Sequence, residues 1–329
     1  MPPDNLPTFQ EPTTQQMQQP DVAFLSRYAP YVVMGVGLFL IVAVGITFFD
    51  SREEPAPVVE AENTQTPLFG TVSLEGQSAI VWDAKENKTI FGREQTRVLP
   101  LASVSKVMTA LAAHETIPDD AVISISSTAL ATDGESGLYL GERFLRDDLI
   151  AYMLVTSSND AATALKEYFD ATREPSTADF IWHMNDVARD LGLTDMIFVN
   201  PTGLDEVAGS PVNRGSAQSV ARLFTYAVQT IPDLIDTTRF NNQSISSLDH
   251  THQIKNTNTI IDDIPLAIGS KTGFTDSAGG NLALSFDATI GHPIVIVVLG
   301  SSREGRFSDM KKLINETREY FTSAEVSTE

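Results

Sequence analysis

The chain has 329 residues, a formal net charge of −21 and no cysteine. This length accommodates one large domain, or two modest ones, with appendages, and a hydrophobic content of 42% supports a substantial core. The acidic charge argues against nucleic acid as a partner, because phosphates require a basic surface. Without cysteine the chain can form neither disulfides nor thiolate metal sites.

The N-terminal part of the chain divides into three segments by composition. Residues 1–28 are rich in Pro, Gln and Thr and predict a disordered tail, which the predicted function, given below, would place in the cytoplasm. Residues 29–49 contain no charged side chain, and an apolar run of this length predicts one transmembrane helix. A cleaved signal peptide is less favoured, because the preceding segment is long and mostly acidic and no small-residue cleavage site follows the run. Residues 50–67 predict an acidic linker.

The remaining elements are predicted to form one domain, residues 68–322, followed by a short C-terminal tail, residues 323–329. Residues 78–82 and 88–91 predict two strands around a turn. Apolar spacing of three and four residues predicts helices at residues 103–115, 146–156, 160–169, 176–191 and 216–230. Strand patterns return at residues 266–269, 281–286 and 293–299, before a last amphipathic helix containing Met310, Leu313 and Ile314.

Strands at both ends of the domain, with helices between them, predict an α+β fold. The N- and C-terminal strands are expected to form one antiparallel sheet with flanking helices and a helical insert, preceded by the transmembrane helix.

Three short motifs follow one another along this domain: Ser103-Val104-Ser105-Lys106, Ser157-Ser158-Asn159 and Lys271-Thr272-Gly273. Each alone is weak, since a second Ser-x-x-Lys occurs at Ser308–Lys311 and since Ser and Asn are ordinary helix caps. Together they offer a hydroxyl beside an amine, a hydroxyl with an amide, and a lysine leading into a glycine. In this order they match the signature of penicillin-binding proteins and class A β-lactamases.

These residue types suit serine acyl transfer. Ser103 is predicted to open a helix with Lys106 on the same face. An amine can deprotonate a serine if burial or a second cation, here Lys271, lowers the pKa of that amine. Ser105 is adjacent to Lys106 in sequence and is predicted to project elsewhere. The helix N-terminus would supply N–H groups to the developing oxyanion.

Other catalytic schemes find no support in the sequence. The five histidines show no zinc-binding spacing, and there is no Gly-x-Ser-x-Gly elbow for a Ser-His-Asp triad. His250 and His252 lie in a polar stretch and are predicted to be solvated loop residues. We therefore expect neither a metal nor a cofactor.

The stretches around the motifs resemble the D-alanyl-D-alanine carboxypeptidase family, the low-molecular-mass penicillin-binding proteins. Ala102–Ala110 is similar to the family's active-serine helix, and Asn200–Asp205 to its Asn-Pro-x-Gly-Leu loop. Lys271–Thr275, followed by Ala278-Gly279, is similar to the family's third motif. The resemblance extends from Leu68 to Lys312 and implies a β-lactamase-like penicillin-binding fold.

The resemblance also implies roles for individual residues. Ser103 is the acylated nucleophile, Lys106 its general base and Ser157 a proton relay. The implied substrate-binding residues are Asn159, Lys271, Thr272, Gly273, Phe274 and Thr275, with Lys271 and Thr272 on the terminal carboxylate. The implied oxyanion hole uses the backbone N–H groups of Ser103 and Phe274. Arg306 resembles a late arginine of the family that also pairs with the carboxylate, and a solvated surface arginine is the alternative.

Three features depart from the family pattern. Ser158 replaces a more usual glycine, and its bulk is expected to alter the cleft entrance. Ser219 replaces the usual acidic residue at a helix start. The chain also ends soon after its last helix, without the second β-domain and C-terminal anchor of many relatives, so the N-terminal span is expected to be the anchor.

These inferences predict a membrane-anchored serine-type D-Ala-D-Ala carboxypeptidase. It is expected to remove the terminal D-Ala from peptidoglycan pentapeptides through an acyl-enzyme on Ser103, and to be inhibited covalently by β-lactams. We expect a single-pass protein of the bacterial cytoplasmic membrane, in contact with the lipid bilayer, with its N-terminus inside and its catalytic domain outside. Arg27 and Arg52 balance the flanking charge, so this orientation follows from the predicted enzymatic function.

Three alternatives stay open. A class A-like β-lactamase would need a deacylating glutamate, and Glu167, Glu174 and Glu206 lie between the second and third motifs without a Glu-x-x-Leu-Asn context. A D,D-endopeptidase would use the same residues on crosslinked peptides. A non-catalytic β-lactam or cell-wall sensor would signal through the span.

Overall fold

The structure is a computed structural model that describes residues 69–70, 72–134, 137–174, 178–205 and 212–326. The predicted tail, transmembrane helix and linker (1–67) lie outside the described residues. Within the described ranges, none of the helices combines the length and the apolar character needed to cross a membrane.

Five of the eleven strands in the described residues form one antiparallel sheet. The strands are β1 (Ser78–Asp83), β2 (Lys88–Arg93), β3 (Leu99–Pro100), β4 (Val122–Ser124), β5 (Arg143–Leu145), β6 (Arg214–Gly215), β7 (Asn242–Ser246), β8 (Thr251–Lys255), β9 (Ala267–Thr275), β10 (Gly279–Asp287) and β11 (Pro293–Ser301). The main sheet has the order β2-β1-β11-β10-β9. Three two-stranded ladders pair β3 with β6, β4 with β5, and β7 with β8.

The main sheet joins the two ends of the domain, as predicted. Val81 of β1 pairs with Ile296 of β11, and Ile296 pairs on its other side with Leu284 of β10. At the sheet edge, Lys271 of β9 pairs with Ala283 of β10. The third motif therefore lies on an edge strand, where one side of the backbone faces away from the sheet.

The helices that follow β3 form the insert. They are α1 (Lys106–Thr116), α2 (Ser127–Leu130), α3 (Arg146–Thr156), α4 (Asn159–Thr172), α5 (Phe180–Asp190), α6 (Ala217–Thr230) and α7 (Pro232–Asp236), and α8 (Gly305–Val326) follows the sheet. The five predicted helical segments correspond to α1, α3, α4, α5 and α6. The predicted last amphipathic helix is α8.

Both faces of the sheet are covered by helices. On one face, Val81 and Leu284 share a hydrophobic cluster with Met310 and Leu313 of α8. On the other face, Ile80, Ala283 and Val297 belong to the larger cluster formed with the helical insert. Strands covered on both sides need apolar residues at every position, which explains the unbroken apolar run Ile294–Leu299.

α1 is the central helix, and residues 106–113 are all buried. A helix buried on every side is expected to be apolar all round, yet Lys106 and Thr109 are among these residues. A buried ammonium is costly unless it is bonded or loses its proton. Lys106 therefore needs hydrogen-bond partners or a lowered pKa.

The polar stretch around His250 and His252 forms the hairpin β7–β8. His250 is exposed, but the prediction that His252 is solvated was wrong. The side chain of His252 is 10% exposed, and its Nε2 lies 2.5 Å from Oε1 of the buried Glu142. Local sequence could not predict this contact, because the two residues are 110 positions apart.

Candidate active site

Ser103 lies in a 3-10 turn, Ala102–Ser105, immediately before α1. The turn is entered through Ala102, whose φ of 48° lies in a region that a Cβ disfavours. Such conformations need support from their surroundings and cluster at functional sites. Ser105 is buried and donates its hydroxyl proton to Ala102 O at 2.7 Å. Ser105 therefore holds the turn, and the half-buried Ser103 presents the available hydroxyl.

Lys106 is completely buried next to Ser103. Its Nζ lies 3.0 Å from Ser103 Oγ and 2.7 Å from Asn159 Oδ1, and it donates to Thr202 O. Burial, and then the positive charge of Lys271, lower the pKa of Lys106 well below its ordinary value. The site thus favours the neutral amine, the form that can accept a proton.

The hydrogen bonds of Lys106 define where its lone pair points. A neutral amine has two N–H donors and one lone pair. Thr202 O is a carbonyl oxygen, and the oxygen of Asn159 faces Lys106 because its Nδ2 donates to Asp133 O at 2.6 Å. These two acceptors take the two N–H groups. The lone pair is left for the Ser103 hydroxyl, which is the arrangement that a general base requires.

The loop Asn200–Asp205 supplies the Thr202 carbonyl to this arrangement. Asn200 Oδ1 accepts from the backbone N–H groups of Thr202 at 3.2 Å and Gly203 at 2.7 Å. Thr109 of α1 donates its hydroxyl proton to Pro201 O at 2.7 Å. The sequence identified this loop only through the family resemblance, and the structure shows that its backbone contacts Lys106.

Ser157 and Asn159 lie at the junction of α3 and α4, as predicted. Ser157 ends α3 with a φ of 64°, and its Oγ accepts from Lys271 Nζ at 2.8 Å. Ser158 is 3% exposed, and its Oγ accepts from Ala161 N at 3.0 Å. The expectation that Ser158 alters the cleft entrance was wrong, because this side chain caps α4 inside the fold.

Lys271 is the second buried lysine of the site, with 1% exposure. Besides Ser157, its Nζ donates to Thr272 O at 2.9 Å. Because an ammonium has three donors, one is left for a ligand. Burial, and then the charge of Arg306, lower the pKa of Lys271 to about 7. Its protonation is therefore sensitive to pH in the neutral range.

The rest of the third motif lies against the turn that carries Ser103. A Cβ on Gly273 would be 2.9 Å from Leu101 O and 3.0 Å from Ser103 N, so glycine permits this close approach. The approach brings Ser103 and Phe274, the predicted oxyanion donors, onto adjoining segments. The guanidinium of Arg303 lies 3.7 Å from the centre of the Phe274 ring. Thr275 instead accepts from Ala278 N at 3.2 Å, within its own turn.

Arg306 is 7% exposed, so the alternative of a solvated surface arginine was wrong. Its Nη1 donates to Gly273 O at 2.6 Å. Its Nε is buried without a hydrogen-bond partner among the described residues. Burial, and then the charge of Arg303, lower the pKa of Arg306 to about 10, so it stays charged at neutral pH. A cation with an unused buried donor beside Lys271 suits an anionic ligand.

The remaining sequence candidates lie elsewhere. Ser219, at the position where the family has an acid, donates to Oδ1 of Asp195, so another segment supplies the carboxylate there. Glu167 Oε2 accepts from Ser126 Oγ at 2.6 Å. Glu206 is outside the described residues. In the part of the chain that the structure describes, no three His, Asp or Glu side chains are grouped as metal ligands.

Two contacts of the site were missed by the sequence analysis. One is the Thr202 carbonyl on Lys106. The other is Thr257, whose hydroxyl oxygen lies 2.6 Å from that of Thr272. The loop motif was a signal for the first contact. Thr257 belongs to no motif, and its 15-residue separation from Thr272 gave no signal.

Comparisons with known proteins agree with this geometry. A family model described as D-alanyl-D-alanine carboxypeptidase matches residues 61–303. The D-alanyl-D-alanine endopeptidase of Pseudomonas aeruginosa is 30% identical over 82% of this chain and 85% of its own. The D-alanyl-D-alanine endopeptidase of Escherichia coli is 28% identical over 78% of this chain and 82% of its own.

Solved structures show the same fold. Penicillin-binding protein D2 from Listeria monocytogenes, in its cefotaxime-bound form, superimposes with a TM-score of 0.64 and 27% sequence identity. The match covers 75% of this chain and 98% of that one. Because the family model matches well over half of the chain, the protein belongs to the D-alanyl-D-alanine carboxypeptidase family of serine peptidases.

Proposed function

We propose that the protein is a serine-type D-Ala-D-Ala carboxypeptidase that removes the terminal D-Ala from peptidoglycan pentapeptides. The observation that carries this proposal is the position of the buried amine of Lys106, 3.0 Å from the hydroxyl oxygen of Ser103 and hydrogen-bonded to two further acceptors. A serine is a weak nucleophile until a base takes its proton. Family membership supports this substrate class, and the geometry supports Ser103 as the attacking group.

Acylation begins when Ser103 Oγ attacks the carbonyl carbon of the D-Ala-D-Ala bond. Lys106 takes the serine proton, and the backbone N–H groups of Ser103 and Phe274 bind the oxyanion that forms. The bond to the leaving nitrogen then breaks. Ser157 donates its hydroxyl proton to that nitrogen and recovers a proton from Lys271, whose Nζ is 2.8 Å from its oxygen. The proton that Lys106 took from Ser103 then replaces the one that Lys271 gave, so Lys106 is neutral again. Free D-Ala leaves, and Ser103 carries the ester.

Deacylation reverses the roles with water as the nucleophile. Lys106, again neutral, takes a proton from water while the water oxygen attacks the ester carbonyl. The ester bond breaks, and Ser103 recovers its proton. Glu167, a candidate base in the β-lactamase alternative, is hydrogen-bonded to Ser126 instead of to any of these groups. This contact favours a peptidase over a class A-like β-lactamase.

The carboxylate of the leaving residue binds on the other side of Ser103. Among the residues that the structure describes, Lys271 has one free N–H and Arg306 has an unpartnered Nε, and the Thr272 hydroxyl lies on the same strand as Lys271. Two cations and a hydroxyl group suit a carboxylate, which accepts several charge-assisted hydrogen bonds. The same pocket supports binding of the β-lactam carboxylate, and cefotaxime is bound in the related Listeria protein.

Cleavage of crosslinked peptides is the second candidate function. Two relatives are named endopeptidases. A cleft of about 510 Å³ adjoins the site and is lined by Asp133 and Thr202, whose backbone oxygens bind Asn159 and Lys106. Space beyond the reacting serine would accommodate a peptide larger than a single stem. Purified monomeric and crosslinked muropeptides, offered separately, decide between the two activities.

The full chain, purified in detergent, tests the proposed carboxypeptidase. We expect release of free D-Ala from a pentapeptide ending in D-Ala-D-Ala, and covalent labelling by a fluorescent penicillin. Ser103→Ala abolishes both, whereas Ser308→Ala, in the second Ser-x-x-Lys, changes neither. Equal labelling of Ser103→Ala and the wild type contradicts the assignment. Rapid nitrocefin turnover indicates a β-lactamase, and stable acylation without peptide turnover indicates a sensor.

We also propose that residues 29–49 anchor the enzyme in the bacterial cytoplasmic membrane, with the catalytic domain outside. The apolar, uncharged run supports the anchor, and the location of peptidoglycan supports the orientation. The chain has no cysteine, so single-cysteine variants report topology cleanly. In intact cells a membrane-impermeant maleimide is expected to label Lys88→Cys but not Thr8→Cys. The reverse pattern contradicts the orientation.

A further inference from the structure

Thr257 faces Thr272 at the edge of the carboxylate pocket. The two hydroxyl oxygens are 2.6 Å apart. Thr257 follows β8 and is half-buried, whereas Thr272 lies on β9 and is 4% exposed. At this distance one hydroxyl donates its proton and the other accepts it. The direction of this hydrogen bond decides which proton is free for a ligand.

The backbone around Thr257 is fixed by the buried asparagines on either side. Asn256 Nδ2 donates to Thr238 O at 2.6 Å, and Asn258 Nδ2 donates to Ser270 Oγ at 3.0 Å. Asn256 Oδ1 accepts from Asn258 N at 2.8 Å, which closes a turn across Thr257. Irregular backbone inside a protein requires such partners. Thr257 is therefore held in place before any ligand arrives.

Thr257 contacts α3 as well as β9. Its backbone N–H donates to Val155 O at 3.3 Å, in the last turn of α3. The same helix ends at Ser157, whose Oγ accepts from Lys271 Nζ. Thr257, Thr272, Lys271 and Ser157 thus form a continuous chain of contacts around the pocket.

We infer that Thr257 is a positioning residue that fixes the donor direction of Thr272. The inference rests on the proposed function, in which the Thr272 hydroxyl binds the carboxylate of the leaving residue. A carboxylate only accepts hydrogen bonds, so the Thr272 proton must point at it. Thr272 Oγ1 is then free to accept, and Thr257 donates to it. Thr257 sets this orientation in advance and selects substrates with a free carboxylate.

Valine and serine variants of the full chain test this role. Thr257→Val replaces the hydroxyl by a methyl group of similar shape, whereas Thr257→Ser keeps the donor. Thr259→Val makes the same change at an exposed position two residues away and is the matched control. The substrates are a pentapeptide ending in D-Ala-D-Ala and its C-terminal carboxamide, which lacks the anionic group.

For Thr257→Val we expect KM for the free acid to rise about tenfold with kcat within about twofold, as for one weakened hydrogen bond. KM for the carboxamide changes by less than about twofold, since the missing charge removes the interaction that Thr257 prepares. Thr257→Ser and Thr259→Val behave like the wild type. In Thr272→Val, KM for the free acid rises by a similar factor. In the double variant Thr257→Val/Thr272→Val it rises no further than in Thr272→Val alone.

Equal rises in KM for both peptides, or additive rises in the double variant, overturn the inference. If Thr257→Val fails to fold, it loses acylation altogether, and Thr257→Ser then tests the inference. A tenfold rise in KM for the free acid in Thr257→Ser also contradicts the inference. Acylation by benzylpenicillin, which carries a carboxylate, is a readout that needs no peptidase activity, and we expect its second-order rate to fall about tenfold in Thr257→Val. If the wild type is acylated but releases no D-Ala, the proposed carboxypeptidase fails and the acylation rates alone decide the role of Thr257. If the wild type does neither, both proposals fail.

Discussion

Gly203 lies directly against Ala102, and a Cβ at position 203 would be 2.0 Å from Ala102 O. The contact joins the Asn200–Asp205 loop to the turn that carries Ser103. Ala102 holds a φ of 48°, a conformation that needs support from its surroundings, whereas Gly203 has a φ of 80°, which glycine adopts without steric cost. The loop and the turn therefore form one unit, and Lys106 is bonded to both sides of it.

Gly203→Ala is expected to separate this unit. The new Cβ would overlap the backbone of Ala102, so the turn must shift. Ser103 Oγ then moves out of hydrogen-bond distance of Lys106 Nζ. We expect the rate of penicillin acylation to fall by about a hundredfold or more, since displacements of about 1 Å at a reacting atom have effects of this size.

Gly141→Ala is the matched control for this variant. Gly141 has a φ of 78°, and an added Cβ there would meet nothing within 4 Å. The substitution carries the same backbone penalty, about 1–2 kcal/mol, without the overlap. We expect a lower midpoint of thermal unfolding but a wild-type acylation rate. Wild-type acylation in Gly203→Ala contradicts the prediction.

The two buried lysines predict a bell-shaped dependence of kcat/KM on pH. Lys106 must be neutral to accept a proton, so activity is lost as the pH falls through its lowered pKa. Lys271 must be protonated to bind the carboxylate, so activity is also lost as the pH rises through about 7. Lys271→Arg keeps its charge at all these pH values. We expect this variant to be less active overall but to lack the fall on the alkaline side, and an unchanged alkaline limb contradicts the assignment.

Asn159→Asp is expected to move the acidic limb to higher pH. Asn159 Oδ1 lies 2.7 Å from Lys106 Nζ, and a carboxylate there stabilises the ammonium form of Lys106 and raises its pKa. The rate of penicillin acylation at neutral pH falls and recovers in part as the pH is raised. Asn242→Asp makes the same change at an exposed position and leaves the profile unchanged. A uniform loss at every pH would mean that Asn159 acts on substrate alone.

Leu313→Ala tests the contribution of α8 to stability. Leu313 is fully buried against the sheet, and removal of a core leucine costs about 2–5 kcal/mol. Lys311→Ala, on the same helix, removes an exposed ion pair with Asp263, worth about 1 kcal/mol or less. Urea unfolding followed by circular dichroism measures both. Similar midpoints for the two variants contradict the packing of α8 on the sheet.

Local pattern was enough to predict the elements that carry the site. The apolar periodicity of residues 146–156 predicted α3, and the break after it placed Ser157 and Asn159 at a helix junction. The order of the three motifs brought Ser103, Lys106 and Lys271 into one candidate site. The helix predictions were confirmed because helical periodicity is visible in consecutive residues.

Contacts between distant segments could not be predicted in the same way. The position of Ser158 was wrong because a serine after a helix break has two local options, the cleft or the cap, and the structure has the cap. Burial of Arg306 and the hydrogen bond between Thr257 and Thr272 depend on how β9 and α8 pack. Such contacts form only when the whole domain is folded, and they produce no periodic pattern in the sequence.

The central strand of the sheet, β11, has a consequence for how the protein is made. Ser78 pairs with Leu299. During translation β1 therefore lacks its partner strand until more than two hundred further residues have been synthesised. Until then β1 and β2 form an isolated hairpin, which is at best marginally stable in water. Pairings this distant in sequence also slow folding. The enzyme is therefore expected to stay unfolded and inactive on the ribosome, and a stop codon ahead of Pro293 removes the whole domain instead of shortening it.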